Sequence, residues 1–513
     1  MSTDMYSKYG LGMKININFI ATLANAFLSW IALSVVAHYM GPTVLGTIAY
    51  ALAFVGLFTI LSDMGFAGAH LKRVSEGNDL KICNGTFLTI KLLLSLFAIM
   101  VVLLIIIIPK HIAQQIFFSS EQDIVLIIVL FSVILHGLAT SISYTFLAQR
   151  KIAKSVIPFF TGRVIQTLLQ IFIAVSALGV IALAGTYLAE AIIALLIVSF
   201  FFRYYPISRP SREYLRSYFI IALPYLFIGA IQGMLFNFDK IMIQAFSTVE
   251  EVGFYVAPQR ICFSLIMLSS SVMALLFPSI SASHAAGHTE RVRKLSRTAE
   301  RYISLLSAPI AVFVLFFASD LVYYLFGHQF FPSVMLFKLL IIATFIMAIT
   351  DPFSIQLTGT DKMNLAAKIS VVILLANIGL NTLLIPQKIF GVALIGLGAT
   401  GAAIGTIISV TLGAFLYRFF AYKIMEMKQN WNILFHLLAA GIAGGIVYSL
   451  FIVLQAAKWY NLIACSLLYF NLYILILWIL HEITREDLKF FRAIIDFKEM
   501  RDYMVSELKE RET

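Results

Sequence analysis

The sequence predicts an all-α integral membrane protein with about fourteen transmembrane helices. Apolar residue types make up 61% of the 513 residues, whereas Asp, Glu, Lys and Arg together make up only 12%. Soluble domains carry about 25% charged residues, and a soluble monomer of this composition would expose unusually large apolar patches. The apolar residues also group into runs of about 20, which is the length of a helix that crosses the hydrocarbon core.

Charged residues, prolines and glycines divide the apolar runs into fourteen predicted helices. The first is interpreted as a retained helix, because no small-residue cleavage site follows its apolar run. The predicted helices cover residues 16–40, 44–68, 84–108, 122–147, 156–179, 180–202, 216–238, 250–278, 300–318, 333–357, 364–386, 391–417, 432–456 and 460–481.

The distribution of basic residues predicts the orientation. With the N-terminus in the cytoplasm, 29 of the 37 Lys and Arg residues fall in cytoplasmic segments, four in external segments and four inside helices. This asymmetry follows the positive-inside rule and places both termini on the cytoplasmic side of the cell membrane. The net charge of +11 is therefore a feature of the cytoplasmic face that attracts anionic lipid, and it does not indicate nucleic-acid binding.

An internal repeat predicts the domain organisation. The segment HYMGPTVLGTIA at 38–49 resembles AFSTVEEVGFYVA at 245–257 when Gly46 is aligned with Gly253. The offset spans six helices, so the two halves are predicted to run parallel. The predicted parts are an N-lobe at 1–205 (helices 1–6), a C-lobe at 206–425 (helices 7–12) facing it across a central cavity, helices 13 and 14 at 426–482, and a tail at 483–513. The tail is predicted to form an amphipathic helix, either on the inner membrane surface or packed on cytoplasmic loops.

The segment at 37–66 is similar to the opening motif of Wzx-type polysaccharide flippases. The matching positions are Gly41, Pro42, Gly46, Asp63 and Gly65, whereas His38 replaces the usual Arg and Leu45 the usual aromatic residue.

The segment at 239–261 resembles the motif of the second half of these flippases, and Gly401–Ser409 resembles their helix 12. The matching positions of the second-half motif are Asp239, Lys240, Gly253, Tyr255 and Arg260.

These proteins belong to the MOP superfamily, with MurJ and MATE transporters as relatives. The resemblance implies a monomeric transporter that moves a lipid-linked oligosaccharide to the external leaflet by alternating access. It implies no cofactor and no enzymatic activity, with the glycan carrier, membrane lipid and glycan-assembly proteins as partners.

Basic residues inside predicted helices are candidate ligands for the phosphate of a lipid-linked sugar. A charge at the centre of a helix costs about 2.5–3.5 kcal/mol on insertion, so each should face a wet cavity or a partner. Arg163 in helix 5 is the first candidate, because Arg offers phosphate a bidentate fork. Lys91 in helix 3 is the second. Both could instead extend toward the cytoplasmic surface.

Two further bases lie in the predicted C-lobe. Arg260 follows Pro258 in helix 8 and could bind phosphate or pair with Asp239 or Glu251. Lys338 lies near the external end of helix 10, where it could bind phosphate or simply reach the surface.

Four carboxylates inside helices or at their rims could couple transport to H⁺ or Na⁺, since such groups mark ion pathways. Glu190 lies in the middle of helix 6 and could alternatively pair with Arg163. The other three are Asp63, Asp239 and Asp351.

Two other functions remain open at this point. A MATE-like exporter of small amphiphiles would be expected to have twelve helices and an acidic cavity. A polysaccharide polymerase or glycosyltransferase would need a sizeable external loop or an acidic metal site. The external segments here are short, and the three cysteines indicate neither a disulfide framework nor a metal site.

Overall fold

The computed structural model of the chain describes residues 11–112, 120–360, 362–427, 430–454 and 458–482, together with Asp487 and Glu507. Helices dominate these residues, and a short 3₁₀ turn at His328–Phe330 and a hairpin of β1 (Lys388–Ile389) and β2 (Val392–Ala393) interrupt them. The helices are α1 (Leu11–Asp63), α2 (Phe66–Ser75), α3 (Leu80–Ile112), α4 (Ser120–Ala148), α5 (Ile152–Val175), α6 (Gly179–Phe202), α7 (Arg212–Phe246), α8 (Val249–Ala285), α9 (Thr289–Phe326), α10 (Ser333–Gly359), α11 (Met363–Leu384), α12 (Gly398–Met425), α13 (Asn432–Val453) and α14 (Trp459–Ile479).

Thirteen helices in the described part of the chain are long and apolar enough to cross a membrane. The first apolar span, Ile20–Asp63, has 44 residues, whereas a single crossing needs about 20. A kink divides it at Gly41, which has φ 80° and ψ 179° and precedes Pro42. Because this one helix provides two crossings, the thirteen helices give the predicted fourteen, and the predicted fold class is confirmed.

Most observed helices extend beyond the predicted bounds, as Thr289–Phe326 does beyond 300–318, and at two boundaries a different element replaces part of the predicted helix. The second predicted helix, 44–68, ends at Asp63, because Met64 and Gly65 both have positive φ and a separate short helix, α2, follows. The predicted helix 391–417 begins only at Gly398, because the β1–β2 hairpin occupies the preceding residues. Apolar content alone does not distinguish a hairpin from the first turn of a membrane helix.

The described residues form two compact units, one within 1–253 and 497–513 and the other within 254–496. The first unit includes α7, because Tyr218 and Ala222 of this helix pack on Phe66 and Ala69 of α2. The predicted lobes at 1–205 and 206–425 remain a prediction.

A buried histidine holds the first unit together at α2. His70 Nδ1 lies 2.9 Å from the hydroxyl of Tyr218, and Nε2 lies 2.9 Å from Thr145 Oγ1. The ring stacks on Phe87 with centroids 4.2 Å apart. Burial lowers the pKa of His70 to about 3, so the ring is neutral and joins four helices by hydrogen bonds and stacking.

In the second unit, α13 and α14 pack on α9 through an apolar cluster. Pro309 lies inside α9 and has no N–H, so the carbonyl of Leu305, four residues earlier, lacks its helical donor. The hydroxyl of Tyr473 in α14 donates to this carbonyl at 2.9 Å, and the hydroxyl of Tyr469 donates to Pro309 O at 2.9 Å. The predicted C-terminal pair of helices is thereby fixed to α9.

The predicted amphipathic helix of the tail lies outside the described residues, apart from two acidic positions. In the second unit, Asp487 accepts two hydrogen bonds from Arg301 of α9, at 2.9 and 2.8 Å. In the first unit, Glu507 accepts the backbone N–H of Lys154 at 2.9 Å.

Candidate substrate-binding cavity

The first unit contains a cavity of about 510 Å³. Its walls are the end of α1, Lys91 of α3, one face of α4 and one face of α7. The face of α7 is apolar apart from the hydroxyl of Tyr225, and the polar groups come mainly from α1, α3 and α4. These polar lining residues are Thr59, Ser62, Asp63, Lys91, His136, Thr140, Ser141 and Tyr144.

An ion pair lies in the wall of this cavity. Lys91 Nζ is 2.7 Å from Asp63 Oδ1. The side chain of Lys91 is 5% exposed and that of Asp63 33% exposed, so the ammonium is enclosed while its partner remains open to the cavity. Whether Lys91 also extends toward the cytoplasmic surface, the predicted alternative, stays a prediction.

The backbone after α1 holds the carboxylate of Asp63 in place. Its Oδ2 accepts the N–H of Gly65 at 3.2 Å. Gly65 has φ 80°, and a Cβ there would overlap the carbonyl of Ala222 in α7. The Asp-x-Gly motif therefore has a physical basis, because glycine permits both the left-handed turn and the close approach of α7.

A second carboxylate adjoins the cavity through a histidine. Glu190 Oε2 of α6 lies 3.1 Å from His136 Nδ1, and the histidine lines the cavity. The ring of His136 also packs beside Phe159 of α5, with centroids 5.2 Å apart. Glu190 was predicted as a coupling site or as a partner of Arg163, and its partner is His136.

Arg163 lies outside the cavity lining. Its Nη1 donates to Gln166 Oε1 at 2.7 Å on the same helix. The preceding residue, Gly162, is the one that packs against Glu190. Successive helical residues are about 100° apart, so Arg163 lies on a different side of α5 from Gly162, and within the described part of the chain it makes no ion pair with Glu190.

The other candidates lie elsewhere. In the second unit, Arg260 and Lys338 are partly buried and make no ion pair with the described residues of that unit. Asp351 accepts a hydrogen bond from the hydroxyl of Ser269. Asp239 of α7, in the first unit, is 3% exposed and does not line the cavity.

The structure therefore brings together Lys91 and Asp63 in the cavity wall. Glu190 contacts the cavity indirectly, through its hydrogen bond to His136. Sequence analysis missed His136, Thr140 and Tyr144, which the structure adds to the lining. Their spacing of four residues within an apolar run could have revealed them, because it puts polar groups on one face of a membrane helix.

The family model described as polysaccharide biosynthesis protein matches residues 35–335. Among curated proteins, the chain is similar to the probable low-salt glycan biosynthesis flippase Agl15 of Haloferax volcanii. The two are 23% identical over 441 residues, which cover 83% of this chain and 88% of the relative.

Solved structures share the fold. The lipid II flippase MurJ in an inward closed conformation has a TM-score of 0.69 and 14% identity, over 91% of this chain and 99% of MurJ. An inward-facing MATE transporter of the MOP superfamily has a TM-score of 0.63 and 15% identity, over 79% of this chain and 96% of that chain.

The family model and the similarity to a glycan biosynthesis flippase agree with the predicted resemblance to Wzx-type flippases, and the two solved structures show the shared fold. The family model covers more than half of the chain, and thirteen of the described helices can cross a membrane. The chain is a multi-pass membrane protein that belongs to the polysaccharide biosynthesis protein family.

Proposed function

We propose that this protein flips a lipid-linked oligosaccharide from the cytoplasmic to the external leaflet of the cell membrane by alternating access. It acts as a transporter and not as an enzyme. The substrate is an oligosaccharide joined through a phosphate or pyrophosphate to a polyprenyl carrier. The flippase Agl15, which resembles the chain over most of its length, supports this proposal.

The observation that carries the proposal is the enclosed ammonium of Lys91 beside the cavity of the first unit. A base within a membrane helix is costly and marks a substrate or ion pathway. Among the residues that the structure describes, this base has one carboxylate partner, Asp63, and that partner is one-third exposed. A phosphate that enters the cavity can therefore take the place of the Asp63 carboxylate at the ammonium, exchanging one charge-assisted hydrogen bond for another.

The cavity suits a head group with hydroxyls. Thr140 and Ser141 donate their hydroxyl protons to backbone carbonyls one turn earlier in α4, at 2.8 and 2.7 Å. Ser141 is buried, whereas Thr140 is half-buried and its oxygen lone pairs remain available as acceptors for a sugar hydroxyl. At about 510 Å³ the cavity is within the range of small-molecule sites, so it accommodates the phosphate and the first sugars.

Reconstitution tests this function. Proteoliposomes would carry a fluorescent N-acetylglucosamine pyrophosphoryl polyprenol in both leaflets, and a membrane-impermeant quencher would report the lipid that reaches the outer leaflet. We expect faster exchange of this lipid than in protein-free liposomes, with no exchange of fluorescent phosphatidylcholine. Transport of a cationic dye without transport of the lipid-linked sugar would instead indicate a MATE-like exporter.

We also propose that both termini lie in the cytoplasm, because this orientation gives the cytoplasmic segments most of the Lys and Arg residues. The three native cysteines are buried, so single introduced cysteines can report the topology. An impermeant maleimide added to intact cells should label Lys388→Cys in the β1–β2 hairpin, and should label His288→Cys only after permeabilisation. The reverse pattern would overturn the orientation.

A further inference from the structure

His136 of α4 presents a free ring nitrogen to the cavity. Its Nδ1 lies 3.1 Å from Glu190, and its side chain is 43% exposed, whereas that of Glu190 is 8% exposed. Nε2 makes no hydrogen bond to any residue that the structure describes. The ring therefore joins a buried carboxylate on one side to the open cavity on the other.

Glu190 fixes the orientation and the tautomer of this ring. Packing against Gly162 positions the glutamate, because a Cβ at Gly162 would lie 3.3 Å from Glu190 Cγ and 3.0 Å from its backbone oxygen. An ionised Glu190 can only accept a hydrogen bond, so Nδ1–H of His136 is the donor and the lone pair of a neutral imidazole lies on Nε2. Neutral His136 therefore offers the cavity an acceptor, and protonated His136 offers it a cationic N–H donor.

The helices packed around His136 carry several titratable groups. His70 of α2 is neutral and hydrogen bonded to Tyr218 and Thr145. The phenols of Tyr144 and Tyr225 also line the cavity. The charged groups that line or adjoin the cavity are Lys91 of α3, Asp63 of α1 and Glu190 of α6, whereas Arg163 of α5 lies outside the lining and is bonded to Gln166.

The charge balance of the cavity depends on His136. With both carboxylates ionised, Asp63, Glu190 and Lys91 together carry one net negative charge. Protonation of His136 cancels it. An anionic phosphate is therefore repelled when His136 is neutral, and it meets a balanced site with an additional donor when His136 is protonated.

We propose that His136 is a second head-group ligand of the cavity and that the lipid-linked phosphate binds together with one proton, taken from water onto Nε2 of His136. The proposal rests on the function proposed above and adds how the cavity holds and releases an anion. Because binding linkage is reciprocal, a bound phosphate favours the protonated ring, and loss of the proton favours release.

Binding measurements as a function of pH test this. The probe is N-acetylglucosamine pyrophosphoryl polyprenol added to the protein in nanodiscs, since its two phosphoryl groups are diesters that stay ionised between pH 5 and 8. We expect the dissociation constant to rise with pH, by up to about tenfold per pH unit, which is the limit for uptake of one proton. Calorimetry of the wild-type protein in two buffers of different ionisation enthalpy should show net proton uptake on lipid binding, up to one proton per lipid bound.

Two variants separate the charge of His136 from its shape. His136→Gln should bind at every pH with the weak affinity of the wild type at high pH. His136→Lys, which keeps a fixed positive charge, should bind tightly across the range and lose the pH dependence. His288→Gln, at an exposed position before α9, is the matched control and should keep the wild-type profile.

Different outcomes overturn different parts of the account. Lipid binding that is independent of pH in the wild type, with no proton uptake, overturns the role of His136 and leaves the flippase proposal standing. A wild-type pH profile in His136→Gln does the same. Absence of binding and of flipping at every pH overturns the flippase proposal together with this inference.

Discussion

Gly46 and Gly253, the two glycines that the internal repeat aligns, lie against each other within the first unit. A Cβ on Gly46 would lie 2.9 Å from the backbone nitrogen of Gly253 and would overlap the carbonyl of Val249. A Cβ on Gly253 would overlap the carbonyl of Pro42. The two copies of the motif therefore form one backbone-to-backbone contact that only glycine permits.

Substitution of either glycine by alanine should destabilise the protein. We expect Gly46→Ala and Gly253→Ala each to cost about 1–3 kcal/mol, the usual range for overpacking, because the added methyl meets backbone that cannot turn aside. Thermal unfolding in detergent measures the effect, with the loss of the monodisperse peak in size-exclusion chromatography as the readout.

Gly445→Ala in α13 is the control, because a Cβ there meets nothing within 4 Å. It should be neutral or gain up to about 1 kcal/mol from the higher helix propensity of alanine. Equal melting temperatures for Gly46→Ala and Gly445→Ala would contradict the close contact.

The ion pair of Asp63 and Lys91 predicts a non-additive pair of mutations. Asp63→Asn keeps an acceptor for the N–H of Gly65 but leaves the buried ammonium without a counter-charge. We expect a loss of about 1–3 kcal/mol, since a buried charged group loses its partner. Lys91→Met in the same chain should restore most of this stability, and thermal unfolding of both single variants and the double variant gives the coupling. If the loss of stability in the double variant equals the sum of the losses in the two single variants, the two residues are not coupled.

Tyr473 predicts a rescue across two helices. Tyr473→Phe removes the donor that satisfies the carbonyl of Leu305, at a cost of about 1 kcal/mol. Pro309→Ala restores a backbone N–H within α9 that can reach the same carbonyl. The tyrosine substitution should therefore cost less in the Pro309→Ala background, as measured by thermal unfolding. An equal cost in both backgrounds would show that the hydroxyl does not replace the missing donor.

The sequence predicted the fold class well, because long apolar runs and the bias of Lys and Arg depend on the bilayer and not on tertiary detail. It predicted the boundaries less well. The break at Gly41 was predicted, but apolar content continues past Asp63 into α2 and through the β1–β2 hairpin. Neither the turn at Met64 and Gly65 nor the hairpin could therefore be distinguished from the adjacent helices.

The candidate site was predicted in part. Lys91 and Asp63 were each expected to be functional, but their pairing joins residues 28 positions apart and depends on the turn at Gly65. Arg163 was expected as one possible partner of Glu190. In the structure Gly162 of α5 packs against Glu190, and the partner of the glutamate is His136 of α4. Such pairings follow from helix rotation and close packing, which composition and periodicity do not encode.

The central claim is that Lys91 holds the phosphate of a lipid-linked sugar during flipping. The most direct test is the flipping rate of the fluorescent N-acetylglucosamine pyrophosphoryl polyprenol in proteoliposomes for Lys91→Gln, with Lys388→Gln in the exposed hairpin as the matched control. Loss of a phosphate ligand worth about 1.4 kcal/mol or more predicts a rate reduced at least about tenfold in Lys91→Gln, partial activity in Lys91→Arg and an unchanged rate in the control. A folded Lys91→Gln protein that flips the lipid at the wild-type rate would contradict the claim.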